Sequence, residues 1–88
     1  EITSLTELYL SDNRLATLTI TFERFTNLHT LSLSKNKLTH LPLTLQHCPL
    51  IHFGASFNLL TEYPHFLKNI MSLRSLHLEG NPFEKKES

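Results

Sequence analysis

The segment LHTLSLSKNKL, Leu28 to Leu38, places leucine at its first, fourth, sixth and eleventh positions and asparagine at its ninth. Three other segments share the frame: LTELYLSDNRL from Leu5, LIHFGASFNLL from Leu50 and LRSLHLEGNPF from Leu73. Their starts lie 23, 22 and 23 residues apart, so the chain is organised by an internal repeat. Within each copy the L-x-L core alternates as a strand with one buried face requires. One such unit cannot bury its apolar face alone, but stacked neighbours can. Strands repeating at this period pair in parallel, each returning through a crossover of about a dozen residues.

The asparagine column is complete at Asn13, Asn36, Asn58 and Asn81. An amide both donates and accepts, so it suits a corner where the backbone leaves a strand with its polar groups unpaired. Further columns carry the period onward. Phe22, Leu45 and Leu67 form one, and Phe25, Cys48 and Ile70 form another, which places Cys48 in a core slot. PHFLKNIM from Pro64 reads as a short helix with proline in its first turn. PLTLQHCP from Pro42 is stopped by Pro49, and the β-branched TLTITFERF supports no helix.

The L-x-x-L-x-L-x-x-N-x-L frame, in four copies over nearly the whole chain, resembles the leucine-rich repeat family. The resemblance implies an α/β solenoid. A curved parallel β-sheet lines its concave side, and short helices or irregular turns form its convex side. It implies a single domain over residues 1–88, with the four asparagines forming a structural ladder between turns. It also implies a non-enzymatic module that binds proteins on the concave face. One use of such a module is to cover the active-site mouth of a partner enzyme as an inhibitor or regulator. The alternative is a recognition or targeting segment of a larger bacterial effector or receptor whose active domain lies elsewhere.

The outward positions around each L-x-L supply the candidate binding residues. The central column reads Tyr9, Ser32, Gly54, His77, two small residues between two larger ones, which predicts a shallow groove. Ile51, His52, Phe57 and Arg74 flank it, and aromatics and arginine are enriched where protein interfaces concentrate their energy. In LIHFGASFNLL, Phe53 and Ala55 take two inward leucine positions, and their summed volume roughly conserves that of the pair. Gly54 and Phe57 fall on outward positions, where packing makes no demand. Ser11, Ser34 and Ser56 form a further outward column. The four strands present roughly 300–400 Å² of projected area, below the ~800 Å² that each partner gives to a standard interface. Flanking loops, further repeats or a few anchors that enter a partner's pocket would make up the difference.

Other chemistries find little support. His52 and His77 sit diagonally on adjacent strands, within about 7–8 Å at the backbone, but no third ligand completes a metal site. His40, His47 and His65 fall in convex segments and face solvent. Cys48 lies in a core column and His47 adjoins it only in sequence, so no nucleophile–base pair is formed. With two glycines in all, no phosphate-cradling loop exists. No cofactor or small-molecule substrate is expected. The formal net charge is zero and no basic stripe exists, which argues against nucleic acid. No apolar run is long enough to cross a bilayer.

One cysteine excludes an internal disulfide, and no Asn-x-Ser/Thr acceptor occurs. Both favour an intracellular, reducing compartment, a host cytoplasm included. The chain begins at Glu1 and mid-repeat, since Ile2 aligns with Phe25, Cys48 and Ile70. Either earlier repeats precede it or a short segment covers the first strand. Residues 84–88 form a polar tail that reads as a finish.

Overall fold

The computed structural model describes residues 4–84. Ile2 and residues 85–88 of the polar tail therefore lie outside the described residues. Four short strands, β1 (Glu7–Tyr9), β2 (Thr30–Ser32), β3 (His52–Gly54) and β4 (Ser75–His77), form one sheet in the order β1-β2-β3-β4. All three pairings are parallel. The register follows the repeat: Leu8 faces Leu31, Leu31 faces Phe53, and Phe53 faces Leu76. The ladder continues past the strands, with Leu10 N donating to Ser32 O at 2.8 Å, Leu33 N to Gly54 O at 2.7 Å and Ala55 N to His77 O at 2.8 Å. This is a curved α/β solenoid with its parallel sheet on one side.

The return segments are 3-10 turns: Phe22–Arg24, Leu43–His47 and His65–Asn69. None of the described residues is in an α-helix. The reason lies in the spacing of the apolar columns. Phe22 and Phe25, Leu45 and Cys48, and Leu67 and Ile70 are each three residues apart, and all six are buried. A 3-10 turn has three residues per turn, so positions i and i+3 stand one above the other. One such turn aims both columns inward, and segments of three to five residues are too short for a stable α-helix. Pro42 and Pro64 stand as N-caps one residue before their turns, and Cys48 is extended (φ −92°, ψ 140°) as its place before Pro49 requires. The expected helix from Pro64 is thus a 3-10 turn over His65–Asn69, and TLTITFERF, expected to form none, contains the short turn Phe22–Arg24.

Between sheet and turns lies a single core. Leu28, Leu31, Leu33, Leu38, Leu50, Phe53, Ala55 and Leu60 are each no more than 2 % exposed. Burying each large side chain contributes about 1.5–3 kcal/mol before ordering costs. Phe53 and Ala55 fill the slots held by Leu31 and Leu33 one repeat earlier, a larger residue beside a smaller one. The Phe22 and Phe25 rings meet at 5.4 Å between centroids, tilted by 41°.

Three of the four asparagines repeat one set of bonds. Asn36 Nδ2 donates to Leu33 O at 2.9 Å in its own repeat and to Leu10 O at 3.0 Å in the repeat before, while its Oδ1 accepts from Leu15 N at 3.1 Å. Asn58 donates to Ala55 O and to Leu33 O, both at 3.0 Å, and accepts from Leu38 N at 3.0 Å. Asn81 donates to Leu78 O and Ala55 O and accepts from Leu60 N and Asn58 N. Asn13 donates only within its own repeat, to Leu10 O and Ser11 O, and is exposed.

The residue before each asparagine is a second, unforeseen regularity. Asp12, Lys35, Phe57 and Gly80 share one column and one backbone state, with φ of 62°, 60°, 56° and 81°. Only glycine adopts this left-handed region without cost, and for a bulky side chain it is strained.

Candidate functional site

Three rows of side chains stand on the outer face of the sheet. Glu7, Thr30, His52 and Ser75 form the first, and Tyr9, Ser32, Gly54 and His77 the second. Ser11, Ser34, Ser56 and Glu79 follow just beyond the strands. The strands impose these rows because parallel, in-register pairing puts equivalent residues side by side. Gly54 leaves a gap in the second row. A methyl group placed there would meet only Ser34 Oγ at 3.3 Å and His77 Cβ at 3.9 Å. Around that gap lies an open depression of about 420 Å³.

Of the residues expected to bind a partner, Ser32, His52, Gly54, Phe57 and His77 line the depression. Tyr9, Ile51 and Arg74 do not. Tyr9 is 63 % exposed on β1, opposite Ser32. Ile51, expected to face outward, is half-buried just before β3; its N–H donates to His29 O at 2.7 Å and its carbonyl accepts from Arg74 N at 2.9 Å. Arg74 lines a separate apolar cleft of about 440 Å³ along the β4 edge, with Tyr63, Leu67 and Leu76.

Two residues depart from the outward pattern. Ser56, expected among the outward residues, is 4 % exposed, and its hydroxyl is buried without a partner in ordinary hydrogen-bond geometry. The serine column is structural elsewhere: the Ser11 and Ser32 hydroxyls bond to each other, and Ser34 Oγ accepts from Ser56 N at 3.1 Å. Phe57, expected to be free of packing, does meet a packing demand. Its ring lies over the backbone of Gly80, where a Cβ would come within 2.4 Å of a ring carbon. The aromatic of the third repeat and the glycine of the fourth are therefore complementary. Glycine and aspartate in that column were the available sequence signal for its left-handed turn.

Glu79 belongs to the depression, and its outward place in the repeat frame did not single it out. Its carboxyl is held below the ordinary glutamate range, first by a bond to its own backbone N–H, then by the approach of the Ser56 hydroxyl, with nearby His77 adding to the effect. His77 Nδ1 lies 3.9 Å from Glu79 Oε1, and its Nε2 is 3.1 Å from Ser75 Oγ. Lys35 also lines the depression, its backbone N–H donating to Ser56 O at 2.8 Å.

The histidines His52 and His77 are diagonal across β3 and β4, since His52 faces Ser75 and Gly54 faces His77. Among the described residues no three His, Cys, Asp or Glu side chains gather as a metal site would require. Cys48 is 2 % exposed, donates from Sγ to Phe22 O at 3.3 Å, and burial pushes its thiol up to about 11. A thiol so buried and so weakly acidic is not a nucleophile at neutral pH. No helix among the described residues is long and apolar enough to cross a membrane.

The family model described as Leucine Rich repeats (2 copies) matches residues 3–47, just over half of the chain. The chain belongs to the leucine-rich repeat family. Among curated proteins none matches it significantly. The matched span holds the first two leucine-rich repeats, and the third and fourth continue their sheet in register. Leucine-rich repeats generally mediate protein–protein interaction and are typically non-enzymatic. In this leucine-rich repeat chain the depression lies on the outer face of the parallel sheet.

Proposed function

We propose that this protein binds a protein partner through the concave face, with Tyr9, Ser32, His52, Gly54, Phe57 and His77 at the centre of contact and Ile51 and Arg74 beside it. The observation that carries the reading is the depression over Gly54, with exposed Phe57 and His77 on its border. Half-exposed aromatics next to a concavity are the features from which interface anchors are built. Covering a partner enzyme, as an inhibitor or regulator does, is one use that suits a rigid face of this size. Service as the recognition segment of a larger effector or receptor is the other. The protein works inside cells on this reading, which the single, buried and unpaired cysteine supports.

The test is affinity capture from the native source, followed by binding measurements with the purified partner. Tyr9→Ala combined with His52→Ala and His77→Ala is expected to weaken binding at least about tenfold, since truncating interface anchors commonly costs more than 1 kcal/mol. All three side chains are exposed, so the melting temperature should change little. Unchanged affinity in that variant, with loss on charging the convex-side Leu43 or Met71, would place the interface on the opposite face; these are 62 % and 91 % exposed.

A further inference from the structure

The depression has two chemically different ends, and the end nearest β4 is built for a particular side chain. Phe57 N donates to Glu79 O at 2.9 Å, so the two residues are neighbours in adjacent repeats just beyond β3 and β4, and both line the depression. The Phe57 ring is held against Gly80, in a strained backbone state, yet the residue stays 54 % exposed. The left-handed turn common to this column places the Phe57 ring on Gly80 and leaves it open to solvent on its other side. Beside it stands the Glu79 carboxylate, its side chain 62 % exposed. The buried Ser56 hydroxyl, which lines the same depression, has no hydrogen-bond partner. On the floor, Gly54 leaves the space of a side chain empty.

We propose that this end of the depression is a subsite for an arginine side chain of the protein partner, stacked on Phe57 and paired with Glu79. The inference rests on the protein-binding reading above. A guanidinium is planar and weakly hydrated, stacks on aromatic faces, and forks onto a carboxylate through two N–H donors. Its methylene stem crosses the apolar floor at Gly54. A lysine meets the charge but neither the plane nor the fork. An acidic side chain meets Glu79 with like charge, and an apolar one covers the carboxylate without pairing it. Lys35, in the repeat before Phe57, also lines the depression, so the arginine seats on the Glu79 side of the ring.

The probe is N-acetyl-arginine methylamide, titrated into the full chain and followed by backbone amide NMR. Acetyl-citrulline methylamide serves as the neutral isostere and the acetyl-lysine analogue as the second cation. Saturable shifts are expected at Phe57, Glu79 and Gly80, with citrulline about tenfold weaker because it lacks the charge-assisted pair. Glu79→Gln and Phe57→Leu should each weaken the arginine probe severalfold while the fold is retained. Equal binding of arginine and citrulline, or shifts that never saturate, overturns the subsite. If that happens while the Tyr9, His52 and His77 variant still loses the captured partner, the concave interface stands and only the arginine assignment falls. If the variant keeps its partner as well, both fall.

Discussion

The second and third repeats and the first and fourth share one sequence pattern and have different physics. Leu31 and Leu76 occupy the same column of the same sheet, yet one is 1 % exposed and the other 36 %. Asn36 and Asn58 are buried, whereas Asn13 is exposed and bonds only to its own repeat. Leu5, Leu8 and Leu10 on the β1 side and Leu73 on the β4 side are half-buried for the same reason. A middle repeat is covered from both sides, an end repeat from one. Stability in such a stack belongs to the interfaces between repeats more than to the repeats, and a residue's worth depends on which interfaces it touches.

That contrast can be broken most sharply in the core. Phe53→Ala empties a fully buried site between two neighbours and is expected to cost about 3–5 kcal/mol, read from chemical denaturation. Leu76→Ala, in the same column on the edge strand, should cost less than half as much. Equal losses would mean that burial by neighbours does not set the energetics.

A second probe is Cys48, the ionisable member of a core column whose other described members are Phe25 and Ile70. In the folded protein its thiol titrates near 11, against 9.0 for the ordinary group. Between those values the unfolded chain has released the proton and the folded one has kept it, so the unfolded state binds fewer protons and stability falls as pH rises. The two-unit difference corresponds to a loss of about 2 kcal/mol by pH 11. Urea midpoints at pH 8 and pH 11 should separate further for the natural chain than for Cys48→Ala. Parallel midpoints in the two proteins would show that the site admits water.

The smaller effect lies in the ladder. Asn58→Ala removes the only acceptor of Leu38 N, while Leu33 O, Ala55 O and Ser56 O keep the partners Asn36, Asn81 and Lys35 N. One orphaned buried N–H predicts a cost of about 1–3 kcal/mol. Asn13→Ala, with no bond to another repeat, should stay within about 0.5 kcal/mol. Thermal melts of the two variants measure the difference. If they coincide, the inter-repeat bonds contribute nothing beyond the local turn.

Much of this architecture was legible in the chain. The 22–23 residue period and the L-x-L alternation set the parallel, in-register sheet, and Phe53, Ala55 and Cys48 fell inside because their columns did. The concave rows came from the same frame, which is why Ser32, His52, Gly54 and His77 meet around one gap. Ile51 and Arg74 lie one step outside the three-residue strands, where alternation no longer governs direction, and neither lines the depression. Phe57 lines the depression, but the packing of its ring on Gly80 was not legible because its column is a left-handed turn. Periodicity assigns a residue to inside or outside, and a turn residue belongs to neither.

Residue order alone determined most of what one repeat shares with the next: strand, inward column, asparagine corner, and the three-residue spacing of the columns that the 3-10 turns serve. Such properties are local, set by backbone stereochemistry and by which side of a strand is apolar. Properties that depend on two repeats at once required the folded chain. The stacking of Phe57 on Gly80, the burial of Ser56 beside Glu79, and the difference between Leu31 and Leu76 all arise from contacts across the stack. Their magnitudes come from distances that only neighbouring repeats, brought to strand spacing, can define.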